Sequence, residues 1–129
     1  MKVLALDYGA ARTGVAVSDA TGTIARPLGT VARASSAGGL EQLRALVAEH
    51  EVETIVVGMP LTLRGEQGEQ AVATDAFVEM LRSAVDVPVE TYDERFTTRL
   101  AARDGGAADE DARAAAHLLD SYLTSLGRG

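Results

Sequence analysis

Val3-Leu4-Ala5-Leu6-Asp7-Tyr8-Gly9-Ala10-Ala11-Arg12-Thr13-Gly14-Val15-Ala16-Val17-Ser18 decides the fold. Val3–Leu6 is an apolar run of strand length that stops at a carboxylate and the turn-forming Tyr8-Gly9. Gly14–Ser18 reads as a second strand. Asp19-Ala20-Thr21-Gly22 has turn chemistry, and Ile24 to Val31 follows as a third strand interrupted by Pro27. Short connections between these runs predict an antiparallel meander.

Beyond it the period changes. Leu40, Leu43, Leu46 and Val47 recur at helical spacing and predict an amphipathic helix over Gly39–His50. Glu53–Gly58 is a strand rich in β-branched residues. Val72, Ala76, Phe77, Met80 and Leu81 mark a second helix, and Val87–Tyr92 a last strand. Thr97–Arg103 reads as a short helix. A final helix begins at Asp111, with Ala112, Ala115, Ala116, Leu119, Leu123 and Leu126 inward. The order β-β-β-α-β-α-β-α-α predicts an α/β fold. Three antiparallel strands, then two strands alternating with helices, form one mixed sheet with helices on its faces.

The chain has 129 residues, 47% of them hydrophobic and 24% charged. That composition suits a folded protein and that length a single core, so residues 1–129 read as one domain. There is no cysteine, which removes disulfides, zinc–thiolate sites, iron–sulfur clusters and thiol nucleophiles. His50 and His117 are too few for a multi-histidine metal site. No apolar run approaches the ~18 residues of a spanning helix, and Asp7 interrupts the N-terminal run too early for a signal peptide. A cytoplasmic protein without a membrane partner is expected. The net charge is −7, which argues against extensive phosphate neutralisation. The balance is uneven, because residues 1–40 carry Lys2, Arg12, Arg26 and Arg33 against Asp7 and Asp19 only.

Asp7 closes the first strand, Asp93 and Glu94 close the last, and Asp111 opens the final helix. Strand ends and helix starts are where sites form in mixed α/β sheets. Acids from such distant positions can converge into an oxygen-only cluster, the donor set that Mg²⁺ or Mn²⁺ requires. Two such ions held together activate water and stabilise a leaving oxygen in phosphodiester hydrolysis. Structural roles are equally open to each acid: a helix cap for Asp111, a turn for Asp7, a solvated charge for Glu94 beside Arg95. Strand alternation puts Asp93 and Glu94 on opposite faces, and periodicity does not choose between them.

Asp7–Asp19 resembles the opening signature of the YqgF/RuvX family, pre-16S rRNA nucleases also labelled Holliday junction resolvases. Three further blocks agree in order and spacing. Val56-Val57-Gly58-Met59-Pro60-Leu61 through Gly65-Glu66-Gln67-Gly68 is similar to the family's glycine-rich loop. Tyr92-Asp93-Glu94-Arg95-Phe96-Thr97-Thr98 resembles its D-E-R block, and Asp111–Leu123 its C-terminal helix. The resemblance covers essentially the whole chain and implies an RNase H-like fold with a catalytic triad of Asp7, Glu94 and Asp111. It implies that the same three residues hold Mg²⁺ or Mn²⁺, in a site for two ions, with Asp7 bridging. It also selects Glu94 over Asp93.

Two departures from the family pattern are visible. Thr62 and Arg64 stand where members usually carry Asn and Asp, and Asp104–Glu110 is short and acidic where many members have a longer Lys/Arg-rich stretch. Substrate contact is expected from Arg12, Arg64 and Arg95, with Arg99 and Arg103 extending the track. Gly65 and Gly68 would let backbone N–H groups approach phosphates. Arg12 would touch the substrate backbone or organise Asp7. The expected activity is metal-dependent endonucleolytic cleavage at the 5′ end of pre-16S rRNA. Resolution of Holliday junctions, or a non-catalytic assembly role on ribosomal precursors, are the alternatives. A two-lobed phosphate-binding module of the actin or hexokinase type needs twice this chain. A homodimer suits an enzyme that cuts two symmetric strands, but no sequence feature marks its face.

Overall fold

The structure, a computed structural model, describes residues 1–61, 67–96 and 107–127. Five strands form one sheet: β1 (Val3–Asp7), β2 (Arg12–Ser18), β3 (Ala25–Ala32), β4 (Thr54–Met59) and β5 (Val89–Asp93). Their order is β3-β2-β1-β4-β5. β1 lies at the centre, antiparallel to β2 and parallel to β4, and β5 continues parallel to β4. This is the mixed sheet expected from the sequence.

Alternation along β1 divides the core into two layers. Leu4 and Leu6 face helices α1 (Ala37–Glu49) and α2 (Glu69–Ala84), where Leu43, Phe77, Val78 and Leu81 complete an apolar cluster. Val3 and Ala5 face the opposite way, onto Ala115, Leu118, Leu119, Tyr122 and Leu123 of α3 (Ala107–Gly127). Every residue of Val3–Leu6 has no exposed surface at all. β1 is covered on both sides, which is why its run is continuously apolar rather than alternating.

Two helix faces differ from the sequence expectation. In α2 the inward residues are Ala71, Thr74, Phe77, Val78 and Leu81, while Val72, Ala76 and Met80 face solvent. Thr74 is admitted to the core because its hydroxyl donates to the Gln70 carbonyl at 2.8 Å, so a polar residue occupies an inward position. α3 starts at Ala107, one turn earlier than expected, and Glu110 suits the N-terminal end of a helix. Asp111 therefore lies inside α3 rather than at its start, and Leu126 at the far end is exposed. Ile24 precedes β3 and is also exposed. The expected short helix Thr97–Arg103 lies outside the described residues.

At the sheet edge, β3 pairs with β2 through a register shift at Val15/Ala16, where Val15 faces Gly29 and Ala16 faces Pro27. At the other end, α3 is clamped to β5. The Tyr122 hydroxyl donates to Glu90 Oε2 at 3.1 Å, and its ring meets Tyr92 edge-on at 5.8 Å. Burial and the carboxylate partner push the Tyr122 phenol up to about 12. Because the unfolded chain ionises this tyrosine near pH ~10, the clamp contributes fully below that pH. Stability falls as the pH rises from about 10 through about 12. Urea unfolding across that interval is expected to show this fall, flattened in Tyr122→Phe.

Candidate active site

Asp7 ends β1 at the carboxyl edge of the sheet, half-buried. It pairs across the ladder with Gly14 of β2. On the other flank the last β1–β4 pair is Leu6–Val57, so Gly58 is the next residue along β4. Tyr8 stacks on Phe77 of α2 with centroids 4.4 Å apart and fixes the chain just past Asp7. The pleat places Asp7 on the α3 side, the same side as Val3 and Ala5.

The two glycines beside Asp7 do the same thing for two different partners. A Cβ on Gly14 would collide with the backbone carbonyl of Asp111, so a glycine here lets α3 lie directly on β2. A Cβ on Gly58 would stand 2.6 Å from Glu94 Oε1 and 2.9 Å from Glu94 Cγ. The Glu94 side chain thus lies over β4, in space that any other residue at 58 would fill. Gly58 in turn pairs with Tyr92 of β5. Asp7, Asp111 and Glu94 arrive from β1, α3 and the 3₁₀ turn Glu94–Phe96 on one face of one sheet end.

Asp93 and Glu94 have different partners. Asp93 pairs with Arg95, which donates to it from its backbone N–H at 2.9 Å, from Nε at 2.9 and 3.1 Å, and from Nη2 at 2.6 Å. The Arg95 hydrogen bonds hold the Asp93 carboxyl below its ordinary value. Arg95 also lies 5.9 Å from the centroid of the exposed Phe96 ring. Asp93 builds the turn, and Glu94 reaches over β4.

Arg12 opens β2 and donates from Nε to Asp111 Oδ2 at 2.5 Å. It engages Asp111 and not Asp7. Gly68 caps α2 with φ −90°, and no atom of the described residues lies within 4 Å of its Cβ position. A bridge between Leu61 and Gln67 brings it back to the end of β4. Arg64, Gly65, Arg99 and Arg103 lie outside the described residues.

Among the described residues no three His, Cys, Asp or Glu side chains close on one point that could hold a metal ion. The donors themselves suit a hard cation: three carboxylates, all oxygen, on one face. Glu94 already occupies a fitted cradle, and Asp111 is drawn onto Arg12.

The sequence profile of RuvX, described as a Holliday junction resolvase, matches residues 1–125. The chain belongs to the RuvX family. It is 46% identical over 96 residues to a protein of Chloroflexus aggregans named "Putative pre-16S rRNA nuclease", covering 74% of this chain and 68% of that one. A protein of the same name from Geobacillus kaustophilus is 42% identical over 136 aligned positions, covering 97% of this chain and 99% of the relative. RuvX is thus a family of nucleases, and the chain is similar along its length to members so named. The fold is that of Thermus thermophilus RuvC, solved in complex with Holliday junction substrate. That match has a TM-score of 0.59 over 98% of this chain and 96% of the other, at 19% identity. RuvC is RNase H-like, as expected here from the four sequence blocks. No helix among the described residues is long and apolar enough to cross a membrane.

The two flanking glycines give opposite expectations. Gly14→Ala meets backbone, and should cost about 1–3 kcal/mol or block folding. Gly58→Ala meets a side chain, which can turn aside where backbone cannot, and should cost less than Gly14→Ala while displacing Glu94. Urea midpoints of both variants, with a crystal structure of Gly58→Ala, test the contrast.

Proposed function

We propose that this RuvX protein is a divalent-metal-dependent endonuclease that hydrolyses phosphodiester bonds in the 5′-end processing of pre-16S rRNA. The observation that supports it most is the pair of missing Cβ atoms beside Asp7. Gly14 and Gly58 make room for Asp111 and Glu94 on the same face. A sheet built only for stability has no need of such space beside a half-buried carboxylate.

Asp7, Glu94 and Asp111 would hold Mg²⁺ or Mn²⁺, as one ion or a pair. Bound there, a divalent cation would supply Lewis acidity to the attacking water and to the charge developing on the phosphate. The chain's own residues then have separate tasks. Asp7, fixed by strand pairing and by Tyr8 on Phe77, is the ligand with least freedom. Glu94 is kept over β4 by its turn and the Gly58 cradle. Asp111 rides on α3, whose position is secured through Tyr122 and Tyr92. Arg12, Arg64 and Arg95 are the proposed phosphate contacts, with the backbone at Gly65 and Gly68. The relatives' names support an RNA substrate. The family description supports four-way DNA junctions as the second reading, with cleavage of two symmetric strands by a homodimer. The proposed setting is the cytoplasm, where ribosome precursors are processed.

Asp7→Asn should reduce cleavage by about 10²-fold or more while leaving the unfolding midpoint within about 1 kcal/mol of wild type. A panel of pre-16S rRNA leader, RNA/DNA hybrid and four-way junction, each in Mg²⁺ and in Mn²⁺, distinguishes the readings. Exclusive cleavage of the junction favours the resolvase, and no cleavage by wild type favours the non-catalytic assembly factor. Three arginine contacts on an acidic protein also imply a shallow salt dependence. The slope of log Kobs against log salt should be about −2 to −3, measured on RNA by fluorescence anisotropy. A slope several times steeper contradicts the proposed contacts.

A further inference from the structure

Arg12 forms its ion pair with a proposed ligand, not with a bystander. It stands at the first position of β2, two residues before Gly14 and on the same face. The missing Cβ of Gly14 brings the backbone of Asp111 down onto this strand. The contact therefore joins residues 99 positions apart in sequence, brought within reach of each other by a backbone fit.

The two arginine–carboxylate pairs at this sheet end differ in kind. Asp93 is held by a backbone N–H and by two guanidinium nitrogens of Arg95. Asp111 receives only the Nε–H of Arg12, and the two side chains keep 44% and 32% of their surface exposed. An exposed pair joined by one hydrogen bond is weak. Among the described residues, the Nη groups of Arg12 have no protein acceptor. Their fork matches two phosphate oxygens.

From these contacts we infer that Arg12 is a positioning residue that changes partner: it holds the Asp111 carboxylate until a divalent cation takes it, and then pairs with the substrate phosphate. This deepens the proposed nuclease reading and rests on it. A cation that draws in both Asp111 oxygens displaces Arg12 from Oδ2, so the arginine then competes with metal in the absence of nucleic acid. A phosphate that takes Arg12 frees Asp111, so metal and substrate each ease the binding of the other. Removing the guanidinium must therefore move two affinities in opposite directions. A residue that merely supported the fold, or that organised the carboxylates for metal, would not do this.

The test is calorimetric titration of Mn²⁺ into wild type, Arg12→Gln, Arg12→Lys and Asp111→Asn, paired with RNA binding in the presence and absence of Mn²⁺. Without RNA, Arg12→Gln should bind Mn²⁺ about 3-fold tighter or more, yet lose about 10-fold in RNA affinity when Mn²⁺ is present. Arg12→Lys keeps the charge without the fork. It should hold wild-type Mn²⁺ affinity within about 2-fold and recover only part of the RNA binding. Mn²⁺ affinity that is unchanged or weaker in Arg12→Gln, or tightened as much in Arg12→Lys, overturns the exchange of partners while leaving the nuclease reading in place. Wild type that takes up no Mn²⁺ overturns the metal site, and this inference with it.

Discussion

The structure turns on a carboxylate at the end of the central strand with no side chain standing on either neighbouring strand beside it. Asp7 belongs to a run that is sealed on both faces, so its position is fixed by the same pairing that forms the core. Gly14 and Gly58 then lack the two Cβ atoms that would collide with the Asp111 backbone and the Glu94 side chain. Into the first gap comes the backbone of a helix, and into the second a glutamate side chain. Packing elsewhere follows the usual rule that interiors have no unfilled room. At this edge the room is filled by acidic residues.

Electrostatics makes that arrangement costly unless something offsets it, since like charges on one face disfavour one another. Part of the offset is already present in the chain. Arg12 meets Asp111 and Arg95 meets Asp93. The local charge is therefore much less negative than the total of −7 suggests. Excess acids lie elsewhere, on exposed positions such as Glu69 and Asp75 of α2, whereas Glu41 and Glu79 are each paired with an arginine three residues on.

Much of this was legible in the residues. The five strands were visible because Val3–Leu6 and Ile55–Val57 are continuous apolar runs, and such runs suit strands covered on both sides. The face of α2 was not, because Thr74 hides its hydroxyl against its own helix and takes an inward place that hydrophobic periodicity assigns to Val72 or Met80. The start of α3 is hidden in the sequence, because an acidic segment reads as linker although it also suits a helix N-terminus. At the site, the identities of the three acids came from the sequence blocks, whereas the partner of Arg12 did not. Ninety-nine positions separate Arg12 from Asp111, and no local spacing carries that contact. The role of Gly58 was equally hidden, since a glycine at a strand end usually reads as a turn former.

The register shift at Val15/Ala16 has a consequence for how copies of this chain meet one another. An edge strand is a template for another strand, and β3 is one of the two edges. Its partner side is irregular where Gly29 and Pro27 face β2, and Pro27 supplies no amide to any ladder. A flat, uninterrupted row of donors and acceptors is what sheet-to-sheet growth requires, and β3 does not present one. A strand interrupted by a bulge in its pairing and carrying a proline is a poorer template for such growth than a regular one.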